Sequence, residues 1–278
     1  MTRSQAGAVL LSFALFAPPA ALSQSLEAGA GTAPELVTDR PDQTESAVVV
    51  PDGTFQAEFG AAFLRDDDGL VRVDAFEAPG TLLRFGLLRN LELRLAWAGW
   101  IELENRREVG RDSASGAADP EIGAKLVLVS AADGGAFDLA LLGHLALPAG
   151  EDDFNSPRAD PSLRVNGAHD LAPAVGLGWN VGYEAASFED ARGEVHTLGR
   201  VIYTVAAGFD LADHWGCFVE LFGDFPASDP EPAAHSLDAG LTWLVAPRVQ
   251  LDLAAGVGLN DAAPDWFVGA GLSFRVPR

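Results

Sequence analysis

Cysteine occurs once in the 278 residues, at Cys217, so no disulfide framework can hold this fold together. Lysine also occurs once, at Lys125, and arginine carries the rest of the positive charge. Basic residues number 18 against 40 acidic ones, a formal net charge of −22. That balance disfavours nucleic acid and anionic lipid headgroups as direct partners, since both are densely negative. Beyond the N-terminus no stretch approaches the roughly 18 uninterrupted apolar residues of a membrane-crossing helix. Catalytic signatures are missing as well. His144, His169, His196, His214 and His235 form no close pair with zinc-site spacing, and no glycine motif leads a strand into a nucleotide-binding helix. The best enzymatic constellation would join His144 to a serine and a carboxylate, but a lone strand histidine is more often a hydrogen-bonded wall residue. Cys217 falls on an apolar strand face, a poor place for a nucleophile. No enzyme, metal or cofactor is expected.

Alternation is what the chain has in abundance. From Val249 to Asn260, apolar Val249, Leu251, Leu253, Ala255, Val257 and Leu259 alternate with Gln250, Asp252, Ala254, Gly256, Gly258 and Asn260. Trp266, Val268, Ala270, Leu272, Phe274 and Val276 then alternate with Phe267, Gly269, Gly271, Ser273 and Arg275. A period of two over such runs means long strands with one apolar and one polar face. The apolar face could look into a soluble core or out into lipid. The N-terminus bears on that choice: Arg3, an apolar stretch from Val9 to Ala21, and small Ala21 and Ser23 read as a signal peptide over 1–23.

The spacing predicts twelve strands, at about 54–65, 80–88, 91–103, 120–130, 136–147, 161–170, 174–187, 195–210, 214–226, 234–245, 248–260 and 265–276. Prolines fall almost entirely in the gaps, as the missing ladder donor requires. The gaps run long, short, long, short along the chain, starting with 66–79 and 89–90. An antiparallel outer-membrane barrel has this signature, with long loops outside, short turns in the periplasm and an even strand count. A soluble sandwich has no reason to produce it. The expected class is therefore all-β, a twelve-stranded transmembrane antiparallel β-barrel over 54–278, located in the outer membrane.

Parity then assigns the faces. Phe55, Phe85, Leu93, Leu95, Tyr183, Val201, Val219, Leu221, Leu237, Leu241 and Trp243 point to lipid. Gln56, Glu58, Arg84, Glu92, Arg94, Lys125, Asp138, His144, Arg164, Asn166 and Asn180 point to the lumen. Glu184, Arg200, Glu220, Asp224, Asp238, Gln250, Asp252 and Arg275 complete that set. Charges in a confined lumen need partners, and acids and bases nearly balance there. Most of the acidic excess falls in predicted outer loops, as at Asp66, Asp67 and Asp68. Such carboxylates are either solvated loop tips or cation-bridged contacts to lipopolysaccharide phosphates.

Residues 24–53 do not alternate. They hold Thr38, Asp39, Arg40, Pro41, Asp42, Gln43, Thr44, Glu45 and Ser46, dense in short hydrogen-bonding side chains. Such a segment is either a periplasmic leader or a cap that folds into the lumen. This TDRPDQTES stretch, with PDGTFQAEFG at 51–60 and LLRFGLLRNLELRL at 82–95, resembles the outer-membrane transporter-like family labelled "Putative MetA-pathway of phenol degradation". The resemblance spans roughly 36–278. It implies an outer-membrane barrel for passage of small solutes, hydrophobic or aromatic ones among them, with no catalytic set. It also marks Asp39, Arg40, Pro41, Asp42, Thr44, Glu45 and Ser46, together with Arg84 and Gly86, as motif positions. The final residues depart from the family habit, ending Phe274-Arg275-Val276-Pro277-Arg278 rather than on an aromatic. Expected partners are membrane lipid, lipopolysaccharide, the small solute and, during biogenesis, the barrel assembly machinery. The competing expectation is a barrel that transports nothing and serves surface binding or membrane structure.

Overall fold

The computed structural model describes residues 36–227 and 231–276, so the expected signal peptide lies outside the described residues. The strands are β1 (Phe55–Asp67), β2 (Val71–Leu88), β3 (Leu91–Trp97), β4 (Trp100–Arg107), β5 (Arg111–Ala117), β6 (Pro120–Val129) and β7 (Asp138–Ala146). There follow β8 (Asp160–Ala172), β9 (Val175–Glu189), β10 (Val195–Ala212), β11 (Trp215–Pro226), β12 (Ala234–Ala246), β13 (Val249–Gly258) and β14 (Trp266–Val276). Neighbours pair antiparallel around the sheet, and β1 bonds both β14 and β2, which closes it. β3 and β4 pair with opposite halves of β2, while β6 pairs with β3 and β5 with β4. Each of these couples is therefore one stave, interrupted near its middle. Fourteen strands with two such interruptions make a twelve-stranded antiparallel barrel.

Two stretches expected as loops, 66–79 and 104–119, are mostly strand. The cause is a change of phase. In the half nearer the chain termini, β2 buries Leu82 and Arg84 and exposes Phe85. Beyond Ala78-Pro79 it buries Val73, Ala75 and Glu77 and exposes Phe76. The adjoining staves slip alike at Ala98-Gly99 and Ala118-Asp119, so three irregularities lie side by side in the wall. Ala118 N–H donates to Gly99 O at 2.9 Å across this row. Gly99 has φ 96°, and a Cβ there would meet Pro79 O at 2.6 Å, so both backbone and space demand glycine.

Below the row, the outer surface is apolar: Phe55, Phe85, Leu93, Leu95, Val219, Leu221, Leu241, Leu251, Leu253 and Leu272 are all exposed. A band of this kind on a closed barrel is the surface that lipid covers. Trp215 and Trp243 stack across β11 and β12 at one rim, 5.2 Å between centroids. Phe63 and Trp266 meet at 5.3 Å near the other, where Arg65 lies 5.2 Å from the Trp266 ring. Aromatics at two such levels suit the two membrane interfaces. Above the second rim the outer surface carries Arg72, Asp74, Glu104 and Arg106 in ion pairs. There the interior turns apolar instead, with Leu64, Val73, Ala75, Ile101, Leu103, Ala118, Phe154, Phe222 and Phe267 in one buried cluster.

Two turns at this end, 68–70 and 190–194, are short and self-bonded. Backbone amides of Val71 and Leu70 hold the Asp68 carboxyl below its usual range. Amides of Glu194 and Arg192 do the same for Asp190. Phe267 anchors the apolar cluster, 4 % exposed and edge-on to Phe222 at 5.9 Å. Truncating it as Phe267→Ala should cost about 3–5 kcal/mol, read by urea unfolding in micelles. A loss within the scatter of surface variants would mean that this cluster is not packed as described.

Candidate functional site

The polar half of the interior is occupied by the chain's own residues 36–50, most of which are buried. This stretch has no ladder of its own, so its polar groups must find partners in the wall or stay unpaired at high cost. They find them on nearly every side. Asp39 reaches Arg94 at 2.6 Å, Lys125 at 3.0 Å and Arg84 at 3.3 Å. Within the segment its Oδ1 accepts from the Ser46 hydroxyl at 2.6 Å, and its own N–H donates to Glu58 of β1 at 2.8 Å. Glu45 meets Arg94 at 2.8 Å and Lys125 at 3.5 Å. Arg84, fully buried, also bonds Glu58 at 3.2 Å and Glu92 at 3.0 Å.

Around this knot most amides and hydroxyls are matched, the Asn166 Oδ1 being an exception. Asn180 accepts from Glu45 N–H at 2.6 Å and returns a bond to Glu45 O at 3.0 Å. Val50 N–H donates to Glu92 at 2.9 Å, and Asn166 donates to Ser46 O at 3.3 Å. Thr44 donates to Glu220 at 2.6 Å and shares a hydroxyl contact with Thr204 at 2.7 Å. On the far wall Arg40 pairs with Asp252 at 3.2 Å, and Gln250 donates to Thr38 at 2.8 Å. Gln56 donates to Val37 O at 2.7 Å and accepts from Arg275 at 2.9 Å. Arg40-Pro41 is a cis peptide. Glycine makes the close approach: a Cβ at Gly60 would meet the Arg40 guanidinium at 2.2 Å.

The parity-assigned residues thus divide into two groups. Gln56, Glu58, Arg84, Glu92, Arg94, Lys125, Asn166, Asn180, Glu220, Gln250 and Asp252 touch the N-terminal segment. The others pair within the wall or at its ends. Arg164 pairs with Glu184, Arg200 with Asp224 at 2.7 Å, and His144 with Glu121 at 3.3 Å. Asp138 accepts from Ala131 N–H at 2.8 Å in the 130–137 turn, and Asp238 lies directly across from Glu220. Sequence reasoning passed over Thr204, Glu121 and the whole apolar upper cluster. Glu121 was legible, since it shares the parity of Lys125. The cluster was not, because its faces are reversed.

In sequence, residues 38–276 match the family described as "Putative MetA-pathway of phenol degradation". No curated protein matches the chain. Among solved structures, an outer membrane channel from Pseudomonas putida F1 superposes with TM-score 0.64 at 12% identity, over 83% of this chain and 98% of that one. The translocator domain of the autotransporter NalP from Neisseria meningitidis gives 0.52 at 8%, over 82% and 90%. The NanC porin gives 0.51 at 9%, over 80% and 100%. At such identities the likeness is one of fold. The family match covers the N-terminal segment and the barrel wall together, and the chain belongs to the MetA-pathway family of phenol degradation.

Proposed function

We propose that the protein is a channel for passive passage of small solutes across the outer membrane, with residues 36–50, the described part of the expected 24–53 segment, as a plug in its polar lumen. The observation that carries this reading is the matched set of contacts between residues 36–50 and the interior wall, centred on Asp39 with Arg84, Arg94 and Lys125. A segment held by ion pairs and hydrogen bonds, rather than by a packed apolar core, is one that polar competitors can displace. In this reading the termini and the two-residue turns face the periplasm, and the lengthened staves β2, β4 and β5 project outside. A solute would then meet the apolar cluster around Leu103, Phe154 and Phe222 first and the polar plug second, which suits hydrophobic or aromatic compounds. Loop carboxylates such as Asp66, Asp67 and Asp68 would lie at lipopolysaccharide level. Parity-assigned Arg164, Glu184, Arg200 and Arg275 would line the remaining path.

A second reading, a barrel that transports nothing, draws on the same contacts, because a lumen so fully bonded is closed. Planar-bilayer conductance and solute uptake, each with and without residues 24–50, separate the two. Large currents or uptake after deletion support a plugged channel. Silence of both forms in both assays sinks it and leaves the structural role.

A further inference from the structure

We propose that the outer face of the lengthened staves holds the phosphorylated saccharide headgroup of an outer-leaflet glycolipid, the chemistry of lipopolysaccharide. Strand register puts three arginines side by side there. Arg72 of β2 lies directly across from Arg106 of β4, and Arg106 directly across from Arg111 of β5. Paired strands run about 4.8 Å apart, so the row spans roughly 10 Å. Like charges placed this way repel unless an anion lies among them. The next row toward the membrane supplies two, Asp74 and Glu104, themselves direct neighbours. Asp74 pairs with Arg65 at 2.6 Å and Arg72 at 3.0 Å, while Glu104 pairs with Arg106 and Arg111. Four guanidiniums thus share two carboxylates, and the two kinds differ in depth. The Asp74 and Glu104 side chains are 11 % and 18 % exposed, against 30 %, 31 %, 48 % and 65 % for Arg65, Arg72, Arg106 and Arg111. The acids lie against the wall and the cations stand out from it. Asp67, across from Arg72 on β1, is engaged by its own turn, where it accepts from Gly69 N–H at 3.0 Å.

Below the arginines the same face carries an open cleft of about 350 Å³ between β1, β2, β4 and β5. Its outward side chains include Phe63, Phe76, Glu102, Ser113 and Ser115, with Arg111 at the upper edge. Ring faces, hydroxyls and a carboxylate acceptor are what a sugar ring with its hydroxyls can use. Phosphate, for its part, takes paired bonds from the planar guanidinium fork. The heights agree with a lipid. Phe63 meets Trp266 at the second rim and lies directly across from Phe76, and Arg72 stands four residues farther along β2, about 13 Å. A headgroup whose acyl chains lie against the apolar wall would reach the cleft first and the arginines next. The chain's charge of −22 makes this face the exception, a place where an anion is drawn in.

The inference rests on the reading that β2, β4 and β5 project outside the cell, and not on the passage of any solute. The test is titration of the full-length barrel in detergent with bisphosphorylated lipid A, with dephosphorylated lipid A and with inorganic phosphate. A variant combining Arg72→Gln, Arg106→Gln and Arg111→Gln, checked for folding by heat-modifiable migration, should bind the bisphosphorylated form about tenfold or more weakly, since its charge-assisted bonds are gone. Dephosphorylated lipid A should bind the wild type no better than that. Arg192→Gln, which removes an exposed arginine from the 190–194 turn, should change nothing. Equal binding by the triple variant and the wild type overturns the proposal. So does inorganic phosphate that displaces the lipid at comparable concentration, because the ligand is then a free ion. Orientation is read separately. Val109→Cys, at the 91 % exposed tip between β4 and β5, should be labelled on intact cells by an impermeant maleimide above the background of Cys217. No labelling overturns both this proposal and the outside placement of the staves. Labelling with no lipid A binding by the wild type overturns this proposal alone.

Discussion

Arg84→Ala should lower the unfolding free energy of the barrel by about 3–5 kcal/mol, the usual cost of removing one partner from a buried ion pair. Arg84 is 0 % exposed and lies within 3.3 Å of three carboxylates, those of Asp39, Glu58 and Glu92. Arg94 and Lys125 remain for Asp39 and Glu92, but Glu58 finds its next cation, Arg275, only beyond ion-pair distance. Its remaining donors are Gln56 Nε2 at 2.8 Å and Asp39 N–H at 2.8 Å. The variant also strips donors from Val37 O and Val48 O, so the segment loosens along with the wall. Urea unfolding followed by tryptophan fluorescence gives the measurement. Pairing Arg84→Ala with Glu58→Leu should restore part of the loss, since the stranded charge goes too. A double-mutant coupling of roughly 0.5–3 kcal/mol is the range for residues in one network. No coupling, with a single-variant loss below 1 kcal/mol, would show that the pair is solvated.

The second large effect is on gating. Asp39→Ala removes the carboxylate through which the segment holds three wall cations at 2.6, 3.0 and 3.3 Å. It also deprives the Ser46 N–H of its acceptor and leaves the Ser46 hydroxyl only the longer bond to Val48 O at 3.3 Å. Losing about 3 kcal/mol of docking free energy raises the undocked population by about a hundredfold. Open-channel events in planar bilayers should become correspondingly more frequent, and a protease added on the side of the β1 and β14 ends should cut between residues 36 and 50. Asp39→Asn keeps an acceptor for Ser46 and should lie between wild type and Asp39→Ala. Currents equal to wild type in both variants would mean that the segment is not what closes the lumen.

Much of the wall was readable without coordinates because a period of two survives wherever lipid lies on one side and water on the other. Gln250 and Asp252 on β13, and Ser273 and Arg275 on β14, are buried while Leu251, Leu253, Leu272 and Val276 are exposed, a contrast visible in the bare sequence. The same logic misread 66–79 and 104–119. There Val73, Ala75, Ile101 and Leu103 are buried while charged residues face outward, so the expected pattern is present with its faces exchanged. A reader searching for apolar-outward strands sees only polar loop. The N-terminal contacts were illegible for another reason. Asp39 meets Lys125 across 86 positions and Arg40 meets Asp252 across 212, and no local spacing encodes partners so far apart. What the segment did show was its composition, short side chains able to bond in many directions, which fits either a tether or an interior lining.

The row of irregularities at Pro79, Gly99 and Asp119 has a consequence for how this protein can vary. Below it a charge placed on the outer face must enter hydrocarbon, at about 2–4 kcal/mol near the midplane, as for Leu95→Arg. Above it the same substitution on the outer face is nearly free, and Leu103→Arg, on the inner face, becomes the expensive one. Tolerance to mutation therefore changes sides along a single stave. Divergence among relatives should be rich outside and sparse inside the upper barrel, as in a water-soluble domain. Toward the termini the constraint should fall on both faces.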